Sequence, residues 1–406
     1  MRALAELAKS RGHDVTGSDA AAEGHRPENV DGAHLVVYTN AVPQDNCELV
    51  RARALNIPII ERAEYLGEIA KTYGTTIAVS GCHGKSTTTA MIGAALVSYS
   101  PTVHVGVSGA SKVGGTKFFV TEACEYRESF LKLRPDIGVI LNVGFDHPDY
   151  YSDFGEVAKA YRAFAANCKR VLVNGDDERC ASFKNAVTFG FSPTCDYRAE
   201  NVSDERGMRS FTYVHGGRSI RVHLSVVGTH NVYNALAALA ACDMAGISVP
   251  EAVFALSSFT GIPRRFERRG IAYGKTVLCD YAHHPDEIKA TIAAARELFP
   301  SVAVVFQPHT YSRTTRLLDG FVDALGHADT VVIAPIFAAR ENPDGTSSHT
   351  LCRRLVERKE KAYCFDTFAE IVEFCKTLDE KAVIFMGAGD IDVACDRFVG
   401  SYKAQM

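Results

Sequence analysis

The stretch Ile77, Ala78, Val79, Ser80, Gly81, Cys82, His83, Gly84, Lys85, Ser86, Thr87 constrains this chain most: an apolar strand runs into a glycine loop, and a helix follows from Thr87 onward. Strand, loop and helix in that order are a building unit of parallel α/β folds. The glycines let backbone N–H groups converge on one anion, and the helix start adds a favourable dipole. Lys85 supplies a positive charge, and the Ser86 hydroxyl is suited to ligate Mg²⁺. Gly81, Cys82, His83, Gly84, Lys85, Ser86 and Thr87 are therefore the candidate triphosphate cradle. Val79 stands where the longer phosphate-loop pattern has its first glycine, so this is the shorter G-x-x-G-K-[ST] form. The bland alternative is a chance turn, against which the strand before and the helix after both argue.

The rest of the chain alternates in the same way. With 406 residues it exceeds what one core usually supports, so two or three domains are expected. MRALAELAKSR places Leu4, Leu7 and Ala8 on one face and ends at Gly12, the pattern of an amphipathic helix with a glycine stop. Strands are expected at 14–17, 35–38 and 58–60, with a helix over 47–55. Parallel α/β folds open on a strand and this chain opens on a helix, so the expectation is that a first strand and its glycine turn are missing, unless the helix caps a smaller sheet. From Thr75 the alternation restarts and continues to a helix over Asn231–Met244. An antiparallel excursion is expected over 187–227, with turns at Asp204, Glu205, Arg206, Gly207 and at Gly216, Gly217. A third alternation has strands at 276–280, 302–307, 330–334 and 382–386. The fold class is thus α/β in three domains. Residues 1–72 form a truncated Rossmann-like unit, 73–262 a central P-loop unit with a mainly parallel sheet, and 263–406 a second Rossmann-like unit.

Charge and cysteine usage narrow the function. A net charge of −4 leaves no broad footprint for nucleic acid or an anionic membrane, so phosphate binding must be local. The 12 cysteines are scattered, with no C-x-x-C pair, and read as reduced, mostly buried small hydrophobes of a cytoplasmic protein. No run reaches the roughly 18 apolar residues of a membrane span, and no signal-peptide pattern opens the chain.

GCHGKSTTT is followed by EACEYRESFLKL, NVGFDHPDYY, GTHNVYNALAALA, GIPRRFE, DYAHHPDEIKATI, VFQPHTYSRT and MGAGDI. In order and wording these eight segments resemble the muramyl (Mur) ligase family over essentially the whole chain. The resemblance implies a three-domain enzyme of peptidoglycan synthesis that uses ATP and Mg²⁺. The implied reaction activates the lactyl carboxylate of UDP-N-acetylmuramate as an acyl phosphate, which L-alanine's amine then attacks. The products are an amide, ADP and phosphate. The implied partners are those two substrates, with no nucleic acid or membrane, in a monomer or homodimer. Two alternatives stand beside this: a sister ligase that recycles tripeptide onto the same UDP-sugar, and a nucleotide-binding remnant without catalysis.

Glu122, at the end of a strand beginning at Phe118, faces the crevice where such sheets bind ligands, and a carboxylate there suits Mg²⁺. His147 resembles the family's second metal ligand; taken alone it reads as a hydrogen-bonded loop histidine. The resemblance makes Asn234 the adenine reader with His230 beside it, and Asn231 reads as a helix N-cap. Arg265 resembles the arginine that reaches the phosphates, Arg264 and Arg265 otherwise being a solvated pair, and Asp280 would accept from the ribose hydroxyls. Tyr281, His283, His284, His309 and Arg313 form two loop clusters for the amino acid, Arg313 offering its carboxylate a bidentate fork. Adjacent histidines invite a zinc reading, yet no H-E-x-x-H or matching cysteine spacing accompanies them. Cys124 and Thr310 depart from the family pattern and receive no role. Asp19 falls where a UDP-sugar domain contacts uridine. Met1 lines up just after the family's G-x-G-G-x-G turn, so weak UDP-sugar binding is expected. Lys85→Ala is expected on sequence grounds to stop turnover and spare the fold.

Overall fold

In the computed structural model, residues 1–403 are described except 20–23, 108, 148–149, 206–207, 340, 344 and 359. The chain packs as two units, the first Met1–Ala199, Tyr213–Ile220 and Tyr233–Leu256, the second Glu200–Thr212, Arg221–Val232 and Ser257–Met406. Residues 1–72 pack within the first unit.

That unit opens with α1 (Arg2–Ser10), β1 (Val36–Tyr38), α2 (Cys47–Ala54), β2 (Ile59–Glu61) and α3 (Arg62–Ala70). Leu4, Leu7 and Ala8 form the buried face of α1, and Gly12 takes φ +85 after the helix end. β1 and β2 pair in parallel, while the strand expected at 14–17 does not form. A strand exists only through its ladder, and among the described residues nothing pairs with that segment.

Next come β3 (Thr75–Ser80), α4 (Lys85–Ala95), β4 (Thr102–His104), β5 (Phe118–Glu122), β6 (Ile137–Ile140), α5 (Phe154–Asn167), β7 (Arg170–Asn174), β8 (Val187–Gly190), β9 (Tyr197–Glu205), β10 (Met208–His215) and β11 (Arg218–Val227). Helices α6 (Thr229–Met244) and α7 (Val249–Leu256) follow. The strand order is β11-β10-β9-β8-β7-β6-β3-β5-β4, with β3 parallel to both β5 and β6. Only Gly216 and Gly217 join β10 to β11, at φ +56 and +76, the paired positive angles of a two-residue hairpin turn. The other turn, expected to end on Arg206 and Gly207, falls there outside the described residues. Buried Phe119, Phe130, Tyr161 and Phe164 pack in one core with Leu4, Leu7, Leu66 and Ile69, so the opening helix shares the core beneath the large sheet.

Besides parts of β9, β10 and β11 and the start of α6, the second unit holds β12 (Glu267–Ala272), β13 (Lys275–Asp280), α8 (Pro285–Leu298), β14 (Val302–Phe306), α9 (Tyr311–Arg316), α10 (Leu318–Leu325), β15 (Thr330–Ile333), α11 (Ser348–Glu357), β16 (Ala362–Cys364), α12 (Phe368–Lys376), β17 (Ala382–Met386) and α13 (Ile391–Lys403). Its sheet runs β12-β13-β17-β14-β15-β16, parallel except for β12. Val302, Val304 and Phe306 belong to one core and Ala303 and Val305 to another, the period-two split of a strand covered on both faces. The sequence reading missed β12 and β16. β12 is a charged edge strand interrupted by a bulge at Arg269, just before Gly270, and β16 has three residues, so neither carries an apolar run.

His104 at the end of β4 is 5% exposed, with Nδ1 3.3 Å from Thr121 Oγ1. Burial, then the Arg62 cation, lowers its pKa to about 4. An unfolded chain takes up this proton near pH 6.5, whereas the native chain refuses it until about pH 4. His104 therefore contributes stability above pH 6.5 that is lost as pH falls toward 4, up to about 3 kcal/mol in all. Denaturant midpoints at pH 7 and pH 4.5 should show a smaller acid loss in His104→Gln than in the parent; equal losses would exclude this residue as the cause.

No helix among the described residues is long and apolar enough to cross a membrane.

Candidate active site

Because β5 and β6 flank β3 on opposite sides, the chain leaves β3 in both directions and a crevice opens at the carboxyl ends. The glycine loop occupies it. Gly81 and Gly84 take φ +139 and +86. A Cβ on Gly84 would lie 2.6 Å from Asn234 Oδ1, and one on Gly81 3.1 Å from Leu141 Cβ, so conformation and space both demand glycine. Asn142 clamps the loop in the manner of a strand partner. His83 N–H donates to its Oδ1 at 3.0 Å and its Nδ2 donates to the His83 carbonyl at 3.1 Å. The Cys82 thiol donates to the Gly144 carbonyl at 3.1 Å. α4 starts at Lys85, two residues earlier than read from sequence, with Gly84 as its N-cap and no side-chain cap, so no side chain occupies the first-turn donors that an anion would take.

Lys85 folds back under the loop. Its Nζ donates to the Gly81 and Cys82 carbonyls at 2.5 and 3.2 Å and to Glu125 Oε1 at 3.0 Å. The two side chains are 16% and 2% exposed. Burial opposes charge on both, but their attraction prevails: Glu125 raises the Lys85 pKa well above the ordinary lysine value. Burial likewise works to raise the Glu125 carboxyl, and Lys85 with the His147 ring outweighs it, holding the group below the usual carboxylate range. His147 Nε2 lies 3.7 Å from Glu125 Oε1, its backbone N–H donates to Asp146 Oδ1 at 2.7 Å, and its φ is +56. Tyr126 covers its ring at 4.6 Å, and the Tyr151 hydroxyl fixes the Glu125 carbonyl at 2.6 Å.

Glu125, Asp146 and His147 each bring one ligand atom to within 4.8 Å of the others. Glu125 Oε2 is buried with no hydrogen-bond partner, an orphaned anionic oxygen of the kind a cation satisfies. Two carboxylates suit a hard divalent ion, with the imidazole the less usual donor for Mg²⁺, so the set fits that ion. Glu122, expected in this place, is not brought there. Its carboxylate accepts from the Gly106 N–H at 2.8 Å on the β4 side of the sheet, and the acid beside Lys85 and His147 is Glu125. The strand-end rule stopped at the last ladder residue, whereas residues 123–125 carry the chain under the loop.

Asn234 is buried, and its Oδ1 accepts from the Thr88 hydroxyl at 3.2 Å while packing on Gly84, so α6 presses this amide against the loop. Asn231 lies inside the first turn of α6, and its Nδ2 donates to the Val227 carbonyl at 2.7 Å. An N-cap accepts from helix N–H groups, so the expected cap role is corrected. His230 sits beside Gly228, where a Cβ would meet its ring at 2.6 Å. Asp19 accepts from the Gly24 N–H through its carbonyl at 3.1 Å, at the edge of undescribed residues.

In the second unit the expected residues gather at the carboxyl ends of β13 and β14. The Tyr281 ring has the guanidinium carbons of Arg264 and Arg265 at 4.9 and 5.0 Å. Arg264 donates to the Gly387 and Gly389 carbonyls at 2.7 and 2.9 Å, and Arg265 lies 3.8 Å from Glu287. Rings then follow in series: Tyr281 to His283 at 5.4 Å, His283 to His309 at 5.9 Å, His309 to Phe337 at 5.6 Å. Arg313 is buried in α9, and His284 caps α8 by accepting from the Asp286 N–H. Thr310 holds φ +65 at the start of α9, pinned by its N–H to the Phe337 carbonyl at 2.8 Å. Asp280 is engaged by its own surroundings: Oδ2 accepts from Phe266 N–H at 2.6 Å, Oδ1 from Ala282 N–H at 2.8 Å. Burial raises its pKa despite the pull of Arg265.

Sequence reasoning missed Glu125, Asn142 and Phe337. The first two lie inside segments quoted for the family resemblance, and Asn142 follows a strand end. Phe337 carries no local signal, because it meets His309 only through a bridge between distant loops.

Three family descriptions match in succession: "Mur ligase family, catalytic domain" over residues 1–73, "Mur ligase middle domain" over 79–242, and "Mur ligase, glutamate ligase domain" over 264–389. The chain is 41% identical to a UDP-N-acetylmuramate–L-alanine ligase of Acetivibrio thermocellus, covering 96% of this chain and 91% of the relative. It is 40% identical to that of Caldanaerobacter subterraneus subsp. tengcongensis, covering 99% and 95%. Among solved structures, a UDP-N-acetylmuramate-alanine ligase of Thermotoga maritima superposes with TM-score 0.85 at 29% identity, over 100% of this chain and 97% of that one. A murein peptide ligase of Psychrobacter arcticus shares the fold, with TM-score 0.71 at 22% identity over 99% and 96%.

Proposed function

The chain belongs to the Mur ligase family, and from that premise we infer that it joins L-alanine to UDP-N-acetylmuramate with hydrolysis of ATP to ADP. It is an ADP-forming acid–amino-acid ligase of peptidoglycan synthesis. The observation that carries the chemistry is the buried Lys85–Glu125 pair beneath the glycine loop, beside His147.

The reaction sets two anions against each other, since the lactyl carboxylate must attack a phosphoryl group. Loop N–H groups and the α4 N-terminus receive the phosphates, and Lys85 places its ammonium under them, held in position by two carbonyls and Glu125. When bound at Glu125, Asp146, His147 and the Ser86 hydroxyl, Mg²⁺ supplies charge neutralisation at the transferring phosphoryl group. Asn142 keeps the loop in shape while the phosphates change charge.

The second unit is read as the amino-acid unit. His309 and Arg313 begin at the end of β14, and Tyr281, His283 and His284 at the end of β13, the ends where open parallel sheets bind ligands. Arg313 is the cation assigned to the alanine carboxylate, and the Tyr281–His283–His309–Phe337 rings offer a wall against a small side chain. Asn234 and His230 remain the residues assigned to adenine and Asp280 to the ribose side, Asp280 acting through the backbone it holds. Boundaries near 73 and 263 are supported by the separate stretches that the three family descriptions match.

Release of ADP should depend on both UDP-N-acetylmuramate and L-alanine. Preference for tripeptide over L-alanine would assign the recycling reaction instead, and nucleotide binding without ADP release would leave only a remnant.

A further inference from the structure

At the carboxyl margin of the second unit's sheet, the loop between β15 and α11 runs back over the start of α9. Three anchors hold it there. The Thr310 N–H donates to the Phe337 carbonyl at 2.8 Å and the Phe337 N–H to the Pro308 carbonyl at 2.9 Å, a parallel bridge that straddles His309. Ser312 donates from its N–H and its hydroxyl to the two carboxylate oxygens of Glu341, at 2.9 and 2.5 Å. The hydroxyls of Thr315 and Thr346 meet at 2.6 Å. A loop tied to α9 and its lead-in at three points holds its side chains in fixed places, as a site that discriminates between substrates requires.

Phe337 is the half-buried ring on this loop. It stacks on His309 with centroids 5.6 Å apart and planes 23° from parallel. The chain at Gly389 presses on the root of the same side chain, since a Cβ there would lie 2.5 Å from Phe337 Cγ and 2.7 Å from its Cβ. Gly389 is itself held, its carbonyl accepting from Arg264 Nη2 at 2.9 Å. Confined by backbone at its root and by an imidazole on one face, the ring resists displacement.

On the reading of this unit as the amino-acid unit, Arg313 of α9 takes the substrate carboxylate. An alkyl side chain offers no hydrogen bond, so alanine is told from its longer homologues by space alone. We propose that Phe337 is the specificity-determining residue that sets the upper size of the amino-acid side chain. The proposal rests on that reading of the unit and deepens it: His309 and Arg313 serve any amino acid, whereas Phe337 excludes those larger than alanine.

The test uses the full-length protein and measures ADP release at saturating ATP and UDP-N-acetylmuramate, with L-alanine, L-2-aminobutyrate and L-valine in turn. Phe337→Ala should lower the ratio of kcat/KM for L-alanine to that for L-valine by at least about tenfold, within the range that one or two methylenes command in an apolar pocket. Phe337→Leu, which keeps apolar bulk on the loop, should fall between this variant and the parent, and the KM for ATP should stay where it is in both. A ratio unchanged in both variants while L-alanine is still used, or an equal fall in kcat/KM for all three amino acids, would overturn the proposal, the second outcome reducing Phe337 to a support for His309. A parent protein without L-alanine-dependent ADP release would instead sink the functional reading, and the inference with it.

Discussion

Lys85→Ala should reduce ATP-dependent amide formation by at least about 10²–10³-fold, the loss typical of removing one preorganised charge-stabilising donor. The structure adds a consequence that the sequence conceals. The Lys85 ammonium faces Glu125, which is 2% exposed, so its removal strands a buried carboxylate. Breaking one partner of such a pair typically costs about 3–5 kcal/mol. The variant should therefore unfold at lower denaturant concentration, contrary to the expectation that the fold is spared. In Lys85→Ala/Glu125→Gln the orphaned charge is gone, so stability should return in large part while turnover stays lost. A single variant as stable as the parent would show that the pair is not buried as described.

Glu125→Gln and Glu122→Gln should separate cleanly. The first should lower turnover by about 10²–10³-fold and raise the Mg²⁺ concentration needed for half-maximal activity. Without the Glu125 charge, the burial that opposes the Lys85 ammonium loses its main counterweight and the Lys85 pKa shifts down, so residual activity should fall earlier as pH rises. The second variant keeps an oxygen that accepts from the Gly106 N–H, and its loss should stay below about tenfold, or ~1.4 kcal/mol. Equal losses in the two variants would remove the reason for placing Glu125, not Glu122, at the phosphates. The readouts are initial rates of ADP release across Mg²⁺ and pH series.

How far the residues alone announced this arrangement depended on the range of the forces involved. β14 and β17 were read to within a residue, because five consecutive buried apolar side chains admit little else. The Gly216–Gly217 turn and the Gly12 stop were equally plain, each being a local demand on φ. The strand at 14–17 failed since alternation of side chains is not pairing. Lys85 and His147 were visible as residue types in a loop, yet Glu125, the carboxylate they share, was not singled out. Nothing local says whether the chain turns back under the loop at residue 122 or 125; that is decided by Tyr151 and the buried lysine, which are distant in sequence. Asp280 shows the converse: a carboxylate at a strand end looks available from sequence, while its oxygens are engaged by Phe266 and Ala282.

The second unit's sheet has two margins, and neither is inviting. β12 carries Glu267, Arg268 and Arg269 with a kink at Gly270, and Arg269 is tied to Asp396 at 2.8 Å. β16 is only three residues long. Charge, a bulge and brevity are the devices by which open ladders avoid recruiting foreign strands. Newly synthesised copies crowded together are thereby kept from zipping into aggregates along these borders.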